Sequence, residues 1–250
     1  DTISVTVQAD YFSGGALGNA PVTWRVIAQP YYFAWEDAPE DRWYSFEPFD
    51  PEQETFDPYA GSFFNGLVKE GEGTTNADGS FTLSLPADLT GARQSQLWTV
   101  DVTVQSPTNQ FVNGFVAIPI HRGDFYIGLS PQSYVNEAGS DSIVDLVTVA
   151  PTGKPVGGVD LDVTAYEYRW NSVQEKSADG RFVWTTSVER VPVSTDRVRT
   201  GQQGEATFTW TPAKGGQYQI VAQGVDSAGN EMSRNQQGNN NDYCQDNELS

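Results

Sequence analysis

Asp1-Thr2-Ile3-Ser4-Val5-Thr6-Val7, then a glycine-rich turn, then Ala20-Pro21-Val22-Thr23-Trp24: this order returns in the second half of the chain. Its counterpart is Asp141-Ser142-Ile143-Val144-Asp145-Leu146-Val147, a turn at Thr152-Gly153-Lys154-Pro155-Val156, and Val159-Asp160-Leu161-Asp162-Val163. Each copy reads as a strand, a tight turn and a second strand, because β-branched and apolar residues alternate or run briefly between turn formers. A second match sets Asn76-Ala77-Asp78-Gly79, feeding Ser80-Phe81-Thr82-Leu83, beside Gln202-Gln203-Gly204-Glu205, feeding Ala206-Thr207-Phe208-Thr209. In both, a polar turn containing Gly enters an alternating strand, which is a hairpin entry. A third sets residues 97–105 and the turn Pro107-Thr108-Asn109 beside residues 218–225 and Asp226-Ser227-Ala228-Gly229-Asn230. Repetition in the same order predicts two copies of one β-sandwich module.

Outward from the repeat, further strand signals fall at residues 111–120, 125–129 and 182–188, and none of the chain has the period of an amphipathic helix. The second copy has an extra strand and turn, residues 124–139, ahead of its matching segment, and the first has no equivalent. The first module is therefore expected to begin at its second strand, cut from a longer precursor; a missing edge strand exposes unpaired backbone groups, so either another segment covers the site or this end is prone to association. It also carries a long insertion, about residues 30–73, rich in aromatic and acidic residues. The modules are expected to span residues 1–122 and 123–234, meeting near His121-Arg122-Gly123, with residues 235–250 a polar, disordered tail or linker.

Composition agrees. The 250 residues are 38% hydrophobic and 12% aromatic, a β-rich globular balance. A net charge of -19 opposes approach to a phosphate backbone, so nucleic acid is not expected as a partner. No apolar run nears the roughly 20 residues that cross a bilayer, so no membrane insertion is expected of this stretch. Cys244 is the one cysteine, which rules out an intrachain disulfide and a Cys-rich zinc pattern.

Candidate chemistry is thin. His121 lies at the junction with no nucleophile signature around it, and Glu36-Asp37 and Glu40-Asp41 are paired carboxylates in a loop, read either as a solvated loop or as an acid and base. Asp226, Asn230, Asp242, Asp246 and Asn247 supply hard oxygens without calcium-loop spacing. Tyr31, Phe33, Trp43, Phe46 and Phe49 would either stack on sugar rings or form a satellite core over the sandwich or its neighbour. No catalytic, cofactor-binding or metal-ligating residue is assigned, no cofactor is expected, and the chain is read as a non-enzyme.

Several elements together resemble the macroglobulin domains of the alpha-2-macroglobulin family, bacterial members in particular. They are the strand at 125–129 leading into Ser130-Pro131-Gln132-Ser133-Tyr134-Val135, the Ala138-Gly139 turn, and the Pro155-Val156-Gly157-Gly158-Val159 turn. Gly215-Gly216-Gln217-Tyr218-Gln219-Ile220 with Asp226 to Asn230 closes the module, and Gly18-Asn19-Ala20-Pro21-Val22-Thr23-Trp24 repeats the theme. The resemblance covers residues 1–234 and implies an all-β chain of two tandem antiparallel sandwiches of the seven-stranded, macroglobulin or immunoglobulin-like type, the first lacking its N-terminal strand. It also implies a scaffold within a protease trap, partnered by neighbouring domains of the parent chain and, through the full-length protein, by proteases. An extracytoplasmic place follows: periplasm, cell surface or secreted. The family's thioester motif, Cys-x-Glu-Gln, is missing, since Cys244-Gln245-Asp246-Asn247 departs from it. The competing reading is a surface adhesin or carbohydrate-binding module.

Overall fold

The computed structural model describes residues 2–47, 66–90, 92, 94–176 and 182–238. These hold strands β1 (Thr2–Gln8), β2 (Pro21–Pro30), β3 (Gly66–Thr74), β4 (Ser80–Pro86), β5 (Gln96–Gln105), β6 (Phe111–Ile120), β7 (Tyr126–Pro131), β8 (Ser142–Val149), β9 (Asp160–Lys176), β10 (Phe182–Arg199), β11 (Glu205–Trp210), β12 (Gln217–Val225) and β13 (Glu231–Gly238). No helix among the described residues is long and apolar enough to cross a membrane. The strands fall into two units: unit 1 takes residues 2–31 and 66–122 of those described, unit 2 takes 32–47 and 123–238.

In unit 1 the sheets are β3-β2-β5-β6 and β1-β4; in unit 2 they are β10-β9-β12-β13 and β11-β8-β7, with every pairing antiparallel. Strand for strand, β1 to β6 repeat β8 to β13. Only β7 has no counterpart among the described residues, so the all-β reading holds, with a first sandwich one strand short of the second.

Alternation builds both cores. Along β5 every second residue is buried, from Trp98 through Val100 and Val102 to Val104, and these meet Val22, Val26, Leu83 and Leu85. Unit 2 closes over Ile127, Leu129, Leu146, Leu161, Val163, Phe208 and Tyr218. Each such side chain contributes about 1.5–3 kcal/mol relative to exposure.

Three parts of the sheets lie outside the expected strands. β3 is interrupted by glycines that read as loop, yet Gly71 and Gly73 are there because a Cβ would come 2.5 Å from the Trp24 ring and 2.4 Å from the Phe81 ring. β13 begins the stretch expected as a tail: residues 235–238 continue its ladder with β12 from Gln237 opposite Gln219 to Asn235 opposite Val221, and residues 239–250 lie outside the described residues. β10 runs past the expected 182–188, and beyond Tyr168 it forms a two-stranded ribbon with β9, since β12 pairs with β9 only from Leu161 to Tyr168.

Candidate functional site

Both faces of the β7–β8 pair are buried, although a three-stranded outer sheet should leave one face wet. Ile127, Leu129, Val144 and Leu146 point into the unit 2 core. The opposite face, carrying Tyr126, Gly128, Val147 and Val149, is covered by residues 33–46, the described part of the aromatic insertion between β2 and β3. Phe33 stacks parallel on Tyr126 with centroids 4.1 Å apart, and meets Phe46 edge-on at 5.0 Å. Phe46 lies over Gly128, where a Cβ would come 2.7 Å from its ring. Tyr44 closes the cluster over Val147 and Val149.

Polar contacts fix this strap in register. Ser45 and Leu129 exchange both backbone hydrogen bonds, at 2.8 and 2.9 Å, so the strap adds one bridge to the outer edge of β7. The indole Nε1 of Trp35 donates to the Gly153 carbonyl at 2.9 Å. Asp145, 7% exposed, would be costly if left alone on the outer face of β8. It accepts from Gln132 Nε2 at 3.1 and 3.3 Å and from Thr207 Oγ1 at 3.2 Å, and Arg42 of the strap brings its guanidinium within 3.2 Å. With its oxygens committed in this way, Asp145 is a fastening. The groups gathered here hold surfaces together and include no activated nucleophile with an oriented base.

Residues 128–236, from within β7 to within β13, match the family model described as bacterial macroglobulin domain 6. That segment is similar to a bacterial macroglobulin domain, the family that the sequence motifs resemble.

Solved structures extend the likeness in fold across both units. The Escherichia coli alpha-2-macroglobulin in its native conformation is 14% identical and aligns over 94% of this chain and 15% of that one, with a TM-score of 0.60. The Salmonella protein reacted with methylamine gives 13%, 96%, 16% and 0.63, and the E. coli protein activated by porcine elastase 15%, 95%, 20% and 0.60. The present chain thus spans a fifth or less of the length of these structures. No protein of curated function matches it.

Within the matched segment, Asp226 anchors a turn. Burial pushes its carboxyl up in pKa, but hydrogen bonds from the Asn230 side chain and from the backbone of Asn230, Asp124 and Ala228 outweigh this and hold it below the usual range. Its oxygens already serve the loop that joins β12 to β13. Among the described residues no three His, Cys, Asp or Glu side chains gather as a metal site. Asp242, Cys244, Asp246 and Asn247 lie outside the described residues, as does Phe49. Glu36, Asp37, Glu40 and Asp41 are exposed on the strap, Trp43 is 63% exposed, and Phe33 and Phe46 are committed to the cluster. The satellite-core reading of those two rings therefore holds, and they are not open to a sugar. What sequence reasoning missed is the fastening: Arg42, Tyr44 and Ser45 carried no signal, because their partners are set by the fold and not by spacing.

His121, in unit 1, packs against the edge of the Tyr31 ring at 5.4 Å, and burial pushes its pKa below the ordinary 6.5. The unfolded chain then binds a proton more readily than the folded one. Unit 1 is therefore expected to have its full stability above about pH 6.5 and to lose part of it as pH falls below that value. Denaturant titrations at pH 7.5 and 5.5 would show this as a drop that His121→Asn removes; an equal drop in the variant would show that His121 is not its source.

Proposed function

We propose that this chain is a scaffold segment of an alpha-2-macroglobulin-like endopeptidase inhibitor, a protease trap, and performs no chemistry of its own. The match of residues 128–236 to a bacterial macroglobulin domain carries this reading. It is supported by a fold likeness, over 94–95% of the chain, to E. coli alpha-2-macroglobulin in native and elastase-activated states. In such a trap, a scaffold module positions other parts, and the strap fits that role: it devotes aromatic rings and an ion pair to fixing one stretch of chain on another. The reading places the chain outside the cytoplasm, in the periplasm, at the cell surface or secreted, with neighbouring domains of a longer polypeptide as its direct partners.

Elastase mixed with an excess of the chain tests this. Hydrolysis of a small chromogenic peptide and of a large protein substrate should both proceed at the rate of free elastase, and the chain should hydrolyse neither. Loss of activity on both substrates would make the chain an inhibitor in its own right and overturn the scaffold reading.

A further inference from the structure

Beyond Tyr168 the four-stranded sheet of unit 2 narrows to a ribbon, because the ladder with β12 stops at Gln217 and β10 alone continues beside β9 among the described residues. Residues directly opposite each other, or two apart on one strand, share a face of it. The register sets Trp170, Ser172 and Gln174 of β9 on one face, with Trp184 opposite Gln174 and Phe182 two residues along from Trp184. The other face takes Arg169, opposite Glu189, and Val173. All three aromatic side chains of the first face are open to solvent: Trp170 is 58% exposed, Trp184 68% and Phe182 64%. One of them is also held. The Trp170 indole Nε1 donates to Gln217 Oε1 at 3.2 Å, and two residues earlier the Tyr168 hydroxyl donates to Gln219 Oε1 at 2.9 Å. This tie lays the indole over the sheet, so that it turns a flat face to water. Fixing an exposed ring costs rotamer freedom with little apolar burial in return. Preorganisation for a ligand offsets that cost.

We infer that this face of the β9–β10 ribbon is a platform for an uncharged, β-linked glycan chain. In such a chain the hydroxyls lie around the rim of each sugar ring and leave C–H faces, which stack on aromatic rings. Trp170 and Trp184 stand about 14 Å apart along the ribbon, and Phe182 extends the row to about 20 Å, so the ligand is a chain and not a single sugar. The amides of Gln174 and Gln217 are hydrogen-bond donors placed beside the two indoles, where sugar hydroxyls would lie. Charge rules out acidic glycans. Trp170, Ser172, Gln174, Phe182 and Trp184 offer an acidic group no counterion, and a chain of net charge -19 repels it. Polar spacing argues against a protein partner: Ser172 and Gln174 interrupt the apolar surface, whereas the buried centre of a protein interface is continuous and mostly apolar.

Cellohexaose and chitohexaose, both uncharged and β-linked, are the probes, each titrated into the full chain by calorimetry. Saturable binding of at least one is expected. Trp170→Ala and Trp184→Ala each remove an exposed ring, so the unfolding temperature should hold while affinity falls at least tenfold. Gln217→Ala, which unties the Trp170 indole and leaves both rings in place, should weaken binding several-fold. Failure of both sugars to bind, or binding indifferent to the two tryptophan variants, would overturn the assignment. Self-association without sugar that Trp184→Ala abolishes would overturn it in favour of a second copy of the chain.

Discussion

Gly204→Ala is expected to destabilise unit 2 by at least about 2 kcal/mol, and Gly79→Ala to do the same to unit 1. Both glycines end the polar turn that leads into the fourth strand of their repeat, and both have the backbone conformation that L residues avoid, with φ +78° and +80°. That alone costs an alanine about 1–2 kcal/mol. Space then adds to it: a Cβ would come 2.5 Å from the Thr148 carbonyl oxygen at Gly204, and 2.4 Å from that of Ala9 at Gly79. These carbonyls cannot swing aside without losing hydrogen bonds, since Thr148 accepts from Val156 N at 2.8 Å and Ala9 from Leu17 N at 2.8 Å. Gly139 separates the two causes, having φ +84° and nothing within 4 Å of the place a Cβ would take. Gly139→Ala should cost only the conformational part, about 1 kcal/mol. Urea unfolding followed by amide exchange, which assigns each transition to its unit, measures all three. Equal losses for Gly139→Ala and Gly204→Ala would mean that the close carbonyl contributes nothing.

Phe33→Ala should destabilise unit 2 by about 2–3 kcal/mol, although residue 33 lies far upstream of nearly all of that unit. A fully buried Phe costs about 3–5 kcal/mol on truncation, and Phe33 is half-buried, which puts its value toward or below the lower end. The loss also removes the stacked contact with Tyr126 and the edge contact with Phe46. A double-mutant cycle with Tyr126→Ala should return a coupling of about 0.5–1.5 kcal/mol for the stacked pair. The amides of β7 should exchange faster in Phe33→Ala while those of β5, in unit 1, stay as they were. A loss confined to unit 1 would mean that the ring serves its own module.

The contrast between these two predictions marks what the sequence makes legible. Gly79 and Gly204 stand out in the bare order of residues, because a turn chemistry that occurs in two places reveals itself by repetition. The strands between them follow from alternation, and the shorter first sandwich follows from residues 124–139 having no partner in the repeat. The strap is different in kind. Arg42 meets Asp145, Trp35 meets the Gly153 carbonyl, and Ser45 meets Leu129 across long stretches of sequence. Nothing local in either partner encodes the meeting. β3 and β13 escaped detection for a further reason: their ladders are made by backbone groups, which glycine and glutamine supply as well as valine does, while their side chains give no apolar alternation. The macroglobulin motifs were legible because they are turns, whose residue requirements are local.

The strap also has a place in time. A ribosome adds about 5–20 residues per second, and the roughly 90 residues between Phe33 and Tyr126 occupy it for something like 5–20 s. During that interval β3 to β6 are still being made, and a cluster of aromatic rings waits with nothing to cover. The nascent chain thus presents its stickiest surface before its proper owner exists. Acidic neighbours such as Glu36, Asp37, Glu40 and Asp41, exposed on the strap, are the residues that would keep that waiting arm in solution.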